Sequence, residues 1–291
     1  MNKQKPTVDF SIVIPVLNEE KYLPQLLSDL CKQTFRTDHF EVLVVDGNSQ
    51  DKSVALAQTF SGNLQLSVIQ STKPNVSFQR NLGAKQSKAD WLIFMDADNR
   101  IPPSFLDGIK YQLAINKKTK CFTCWIDDSD YKTADKPLVT MLNLSLEVFA
   151  KLRPGAPGAL IGVMRTLACK HPFNHELVMS EDHEFIGKLV KIKHRFSVFR
   201  FPKYHYSLRR LESEGSLKLA RTYAKAQLYL LMGRQLKNGD IDYPMGGDIH
   251  KIKKVWHQTT AKQFRNTFTD LMKNHQKTAK KILNWLNQNQ F

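Results

Sequence analysis

Cysteine is scarce in this 291-residue chain: there are four, Cys31, Cys121, Cys124 and Cys169. So few, so scattered, exclude a disulfide-stapled fold. Cys121 and Cys124 form a single C-x-x-C, with no second pair or nearby histidine to complete a zinc site. The pair lies in the apolar run Cys121-Phe122-Thr123-Cys124-Trp125-Ile126, so both read as core thiols of a reducing compartment. Long apolar runs are also missing. The longest late stretch, Ala226 to Gly233, falls far short of the ~20 residues that span a bilayer. Met1 to Val8 is polar and leads straight into a strand, which is not the pattern of a signal peptide. Acidic residues run short in the second half. Residues 1–150 hold 17 Lys+Arg and 17 Asp+Glu, whereas residues 151–291 hold 26 and 10, the whole formal charge of +16. Such a field suits an anionic partner (a membrane surface, a phosphorylated acceptor or nucleic acid), or is a solvated face with no partner.

What is present alternates in type. Phe10 to Pro15, Glu41 to Asp46, Leu64 to Gln70 and Asp90 to Met95 read as strands. Helical spacing fills Glu20 to Thr34, about Asp51 to Phe60, and Val76 to Ser87. Nearly all-apolar strands alternating with helices predict a mostly parallel sheet covered on both faces, an α/β fold. In such sheets ligands bind beyond the carboxyl ends of the strands, where Pro15, Asp46 and Asp96 lie. After Pro102-Pro103 the pattern is less regular. It gives helices over about Ser104 to Ile115, Pro137 to Lys151 and Glu181 to Lys191, the last with Ser180 as N-cap. A strand covers Cys121 to Ile126, another lies within Gly155 to Leu167, and one precedes Tyr204. Two basic amphipathic helices are expected from Ser213 to about Lys237 and from about Thr259 to Asn289.

Trp91-Leu92-Ile93-Phe94-Met95-Asp96-Ala97-Asp98 is the most telling stretch. Side chains at i and i+2 of an extended segment share a face, so both carboxylates can reach one hard dication. Its neighbours place it. Phe10-Ser11-Ile12-Val13-Ile14-Pro15-Val16-Leu17-Asn18-Glu19-Glu20, Val44-Val45-Asp46-Gly47-Asn48-Ser49-Gln50-Asp51, Arg80-Asn81-x-Gly83 and Asp96-Ala97-Asp98 resemble, in order and spacing, the signatures of family 2 glycosyltransferases. Ser180-Glu181-Asp182 resembles that family's later E-D motif.

The resemblance implies a GT-A fold and inverting transfer of a sugar from a nucleoside-diphosphate donor to an acceptor hydroxyl. It implies that Asp46 meets the nucleotide base, that Pro15 and Val16 shape the backbone against the nucleoside, and that Glu19 lies near the ribose. Asn18 contacts the donor or caps a helix; Asp51 suits a capping role better than Asp46 does. Arg80 offers a planar fork to phosphate or base edges, or forms a surface salt bridge. Asn81 and Gly83 serve packing and close approach. Asp98 is the first choice for a Mn²⁺ or Mg²⁺ ligand, with Asp96 sharing the metal or the ribose. Arg100 holds a position that supplies a neutral ligand in some relatives. A cation cannot ligate, so Arg100 reads as a phosphate contact or a solvent-facing residue. Asp182 matches the general base, with Glu181 beside it and His183 and Glu184 as acceptor contacts. Arg209 and Arg210 pair with the diphosphate or form a surface run. His205 is a further metal ligand or a structural histidine.

The domain reading is a GT-A unit over residues 1–212, its nucleotide-binding half about 8–115 and its acceptor half about 116–212. A basic helical C-terminal extension follows over 213–291. The acceptor is a sugar or lipid-linked saccharide, or a cell-envelope polysaccharide precursor. The chain is expected in the cytoplasm, with the extension peripheral on the anionic inner face of the cell membrane; no nucleic acid is expected. A haloacid-type phosphatase is disfavoured by Arg100 and by the late place of D-x-D in the chain. Nucleotidyl transfer lacks its Gly-rich loop after Ile14. The alternative of another class is a non-enzymatic basic module that binds membrane or nucleic acid.

Overall fold

The computed structural model describes residues 8–129, 136–152, 158–177 and 180–207. The two basic helices expected after Ser213, and Arg209 and Arg210, lie outside these residues. Seven strands form one sheet in the order β3-β2-β1-β4-β6-β5-β7. They are β1 Phe10–Val16, β2 Phe40–Asp46, β3 Leu66–Gln70, β4 Trp91–Met95, β5 Thr119–Ile126, β6 Leu160–Met164 and β7 Arg195–Tyr204. All run in one direction except β6, which is antiparallel to β4 and β5. The mostly parallel sheet expected from the apolar strands is therefore present. The helices are α1 Leu23–Cys31, α2 Ser53–Gln58, α3 Val76–Gln86, α4 Phe105–Ile115, α5 Lys136–Leu152, α6 Arg165–Lys170 and α7 Glu181–Lys191.

The near-continuous apolar strands are explained by a core on each face. Ile12, Ile14, Val42, Val44, Ile93 and Met95 point into one cluster with the leucines of α1 and with Phe105, Leu106 and Ile109 of α4. Val13, Leu43, Val45, Leu92 and Phe94 alternate into the other, which includes Phe185, Ile186 and Leu189 of α7. Cys121 and Cys124 are buried free thiols. Burial pushes Cys121 up to about 12 and Cys124 well above its ordinary value, as the core reading requires.

The first helix differs from expectation for a local reason, and the strand expected within 155–167 is β6. The first helix is shorter than Glu20 to Thr34. Pro24 favours its first turn, and beyond Cys31 the chain is captured elsewhere, Thr34 N–H donating to Pro103 O at 2.9 Å. The strand after Gly155 stops at Met164 and turns into α6. There Arg165 donates its backbone N–H to Asp90 O at 2.8 Å and its Nε to Ala89 O at 3.1 Å.

Because β1, β2 and β4 all end at one edge, with the start of β6 beside them, the loops after these strands share a crevice. It opens where the connections from β1 and β4 diverge, the usual ligand position in such sheets. Gly83 brings α3 onto β1 here: a Cβ at this position would sit 2.3 Å from Val13 Cγ1. Gly83→Ala is expected to cost about 1–3 kcal/mol through overpacking, read as a lower urea midpoint with an unchanged slope.

Candidate active site

The first two strand-end loops are clipped together. Val16 O accepts from Gly47 N (2.8 Å) and from Gln79 Nε2 (2.8 Å), and the same amide donates to Val45 O at 2.6 Å. Asn18, at φ 56°, donates its N–H to Ser49 Oγ at 2.9 Å and accepts from Gln50 N at 2.7 Å. Asn18 is thus a cross-loop clip. Glu19, 5% exposed, donates its N–H to Ser53 Oγ at 2.7 Å. Pro15 and Val16 are buried within β1, so they form the floor of the crevice.

Asp46 is 1% exposed, and its carboxylate accepts from Asn48 N, Ser49 N and Gln70 Nε2 at 3.0, 3.1 and 3.0 Å. It organises its own turn. Lys52 holds the N-cap position of α2 without a side-chain cap bond, while Asp51 before it accepts from Ser53 Oγ (2.5 Å), Ser53 N (2.9 Å) and Glu20 N (3.0 Å). Burial opposes ionisation of Asp51, but these bonds prevail and hold its carboxyl below the ordinary value.

Arg80 is the centre of the site. It lies on α3, whose start is capped by Asn75 accepting from Phe78 N at 2.9 Å. At 2% exposure it presents no fork to solvent, so the surface-salt-bridge alternative is excluded. Nη1 donates to Glu181 Oε1 at 3.0 Å, and Nη2 donates to Asp96 Oδ1 at 3.1 Å and Gly158 O at 2.8 Å. The guanidinium lies 5.4 Å from the ring centroid of Phe173, which stacks on Phe185. Burial disfavours its charge, yet Asp96, Glu181 and Asp182 outweigh that and raise its pKa. Gly158 must be small: a Cβ there would lie 3.0 Å from Arg80 Nη2 and 3.2 Å from Asp182 Oδ2. Asn81 pins the segment before α7, donating to Phe173 O at 2.8 Å and accepting from Phe173 N at 2.9 Å. Arg80, Asn81 and Gly83 thus share one task, docking α7 and β1 around the end of β4.

Glu181 and Asp182 occupy the first turn of α7. Ser180 stands at the N-cap position but, at φ 64°, makes no side-chain cap bond, so the expected capping is absent. Asp182 Oδ1 accepts from His183 N at 2.7 Å, and Glu184 pairs with Lys188 at 3.1 Å. Burial and then the adjacent Asp182 raise the Glu181 pKa to about 7, against the pull of Arg80.

After β4 the turn carrying Asp98 is half-buried. Asn99, fully buried, donates to Ala159 O at 2.5 Å. Arg100 is exposed, as its solvent-facing alternative expected, but its guanidinium is held by a bidentate pair with Asp29 of α1. Its backbone pairs with His205, which brings His205 to the D-x-D turn. Among the described residues no three His, Cys, Asp or Glu side chains converge on one metal position. The expected set of Asp98, Asp96 and His205 is therefore not a closed cage. Asp96 is drawn aside by Arg80. Carboxylate oxygens of this kind fit a hard dication that takes its remaining ligands from a diphosphate.

Gln79, Asn99, Gly158, Phe173 and Asp29 were not singled out in the sequence. Gln79 and Asn99 adjoin recognised motifs, and that adjacency is their only signal. A raised carboxyl binds protons more tightly in the fold than in the unfolded chain, so its contribution falls as pH rises. Between about pH 4.5 and 7 the wild type is expected to lose stability, and Glu181→Gln to flatten that slope in urea melts at successive pH values. Arg80→Met, which takes the buried cation from the part-exposed carboxylates of Asp96 and Glu181, is expected to cost about 2–3 kcal/mol, read as a lower urea midpoint.

The profile of glycosyl transferase family 2 matches residues 11–164. The poly(ribitol-phosphate) beta-N-acetylglucosaminyltransferase TarS of Staphylococcus aureus is 26% identical over 245 residues, covering 80% of this chain and 41% of that protein. The chain thus spans less than half of that relative. The structure of TarS residues 1–349 in complex with UDP-GlcNAc superposes with a TM-score of 0.54 at 24% identity, over 69% of this chain and 58% of that one. A mannosyltransferase of Pyrobaculum calidifontis in complex with GDP-Man and Mn²⁺ gives 0.61 at 18% identity, over 77% and 65%. The fold is therefore of the GT-A type. With more than half of its length matched by the family profile, this chain belongs to glycosyl transferase family 2.

Proposed function

We propose that this chain transfers a sugar from a nucleoside-diphosphate donor to an acceptor hydroxyl with inversion at the anomeric carbon. The observation that carries the proposal is the Arg80 junction. One buried cation gathers Asp96 from the end of β4, Glu181 from the start of α7 and the Gly158 carbonyl at a single sheet edge. That arrangement sets Asp96 beside the acidic first turn of α7, which supports reading the one as donor-side and the other as the source of the base.

In this reading Asp182 takes the proton of the acceptor hydroxyl as its oxygen attacks the anomeric carbon, opposite the departing nucleoside diphosphate. The clipped loops around Asn18 and Asp46 receive the nucleoside. Asp98, with Asp96 and His205, would hold Mn²⁺ or Mg²⁺, which would supply positive charge to neutralise the leaving group. Arg209 and Arg210, outside the described residues, would add their charge to the same task. UDP-GlcNAc is the donor in the TarS complex and Mn²⁺ accompanies GDP-Man in the mannosyltransferase, which supports both assignments. The first acceptor to test is a phosphate-bearing envelope polymer, which the name of the Staphylococcus relative suggests.

We also propose that residues 1–212 form the catalytic unit and that the basic segment 213–291 holds it at the inner face of the membrane. Among the described residues no helix is long and apolar enough to cross one. Co-sedimentation with vesicles is expected to rise with anionic lipid; binding that ignores lipid charge removes this part of the proposal.

A thermal-shift panel of UDP-, GDP- and dTDP-sugars with Mn²⁺ is expected to give a clear rise in melting temperature for one base. Asp182→Asn should keep that shift and lose about 10²–10⁴-fold in transfer. Asp98→Ala should lose the Mn²⁺-dependent part of the shift. A chain that neither binds nor hydrolyses any of these donors ends the transferase reading.

A further inference from the structure

We infer that Arg100 is a positioning residue whose ion pair with Asp29 holds the D-x-D turn and His205 in one register. The inference rests on the donor site proposed above. Arg100 Nε and Nη2 donate to Asp29 Oδ2 and Oδ1 at 2.6 and 2.8 Å, and Nη1 donates to Gln25 Oε1 at 3.0 Å. A two-pronged pair of this kind fixes the orientation of the guanidinium as well as its position. It is anchored from below, because Asp29 is 8% exposed on the side chain and lies among the buried leucines of α1. Asp29 also accepts from Ile101 N at 3.3 Å.

The backbone of the same residue does a second task. Arg100 N–H donates to His205 O at 3.1 Å, and His205 N–H donates to Arg100 O at 2.8 Å. This pair is an isolated bridge one residue past Tyr204, where the β5–β7 ladder ends, so it carries the pairing of β7 on to the D-x-D turn. On the other side of Asp98, Asp96 donates its N–H to Ala159 O at 3.1 Å, the same carbonyl that takes the Asn99 side chain. Asp98 thus sits between two fastenings, one to the approach of β6 and one to α1.

The helix is built for this contact. Gln25, Asp29 and Gln33 recur at a spacing of four, a polar stripe through an apolar segment. Each of the three meets the chain after the D-x-D turn: Gln33 Nε2 donates to Pro102 O at 2.9 Å, and Gln33 Oε1 accepts from Leu106 N at 3.1 Å. Arg100 is the cationic member of that seam and lies two residues after Asp98. A cation placed where it cannot ligate thereby orients the residues that can.

The test uses the full chain as wild type, Arg100→Ala, Arg100→Lys, Asp29→Asn, the double variant Arg100→Ala/Asp29→Asn, and Asp98→Ala. Binding of UDP, GDP and dTDP is measured by calorimetry with and without Mn²⁺, below the melting temperature of every variant. Arg100→Ala and Asp29→Asn are each expected to weaken Mn²⁺-dependent binding about 10-fold or more, with metal-independent binding within about twofold of wild type. The double variant should be no weaker than either single one, because both break the same pair. Lysine, which reaches one carboxylate oxygen, should restore part of the loss. Amide exchange at residues 97–101 and 203–207 should quicken in Arg100→Ala. The inference alone is overturned if Asp98→Ala abolishes Mn²⁺-dependent binding while Arg100→Ala and Asp29→Asn leave it unchanged, whatever their melting temperatures. A wild type that binds none of the three diphosphates with Mn²⁺ overturns the donor site and this inference together.

Discussion

The site depends on one buried guanidinium. Arg80 has two carboxylates and a carbonyl within 3.1 Å, each from a different part of the chain. Removing a charge from water is costly, and Arg80 is held by three well-placed acceptors on its two Nη atoms, while its buried Nε has no hydrogen-bond partner among the described residues. That arrangement works as a constraint on geometry. If α7 moved outward, or if β6 began one residue later, Arg80 would lose a partner it cannot replace with water. The acidic turn of α7 and the end of β4 are therefore fixed to each other through a residue on neither. The same arrangement accounts for the raised Glu181 carboxyl, because burial and then the adjacent Asp182 outweigh the pull of Arg80.

The fold was legible because the strands are apolar on both faces. Ile93 and Met95 serve one core, Leu92 and Phe94 the other, and the unbroken run from Trp91 to Met95 is the imprint of that double burial. The lone reversed strand left no such mark, since β6 is as apolar as its parallel neighbours and its direction is set by tertiary pairing. Motif order was enough to assemble Asp46, Arg80, Asp96 and Asp182 at one end of the molecule. It was not enough to assign their tasks. Asp46 and Asp51 are both acids after one strand, and only the hydrogen bonds tell which turn each one holds. For Arg80 the decisive partners are Gly158 and Glu181, 78 and 101 residues away, a distance over which local spacing carries no information.

Arg100 shows a different limit. Charge alone established that it is not a metal ligand, but the answer to where it points was written 71 residues earlier, in Gln25, Asp29 and Gln33. A polar stripe at helical spacing normally marks the solvent face. Here Asp29 and Gln33 are buried, so the stripe faces another segment of the protein. The signal was present in the sequence; its meaning was not, because exposure decides between the two.

These two arginines divide the labour of the crevice. Arg80 works from beneath, buried, and joins elements that belong to different halves of the sheet. Arg100 works from the rim, with its head half in water, and fastens a turn to a helix. Interactions of the first kind set which residues meet, since leaving any of them unpaired is costly. Interactions of the second kind, screened by solvent, add little to stability and act chiefly on how narrowly a loop is held. The two kinds meet just past β4, where Asp96 is held by the buried arginine and Arg100, four residues on, is held by Asp29 of α1, so one short turn is fixed both from the core and from the surface.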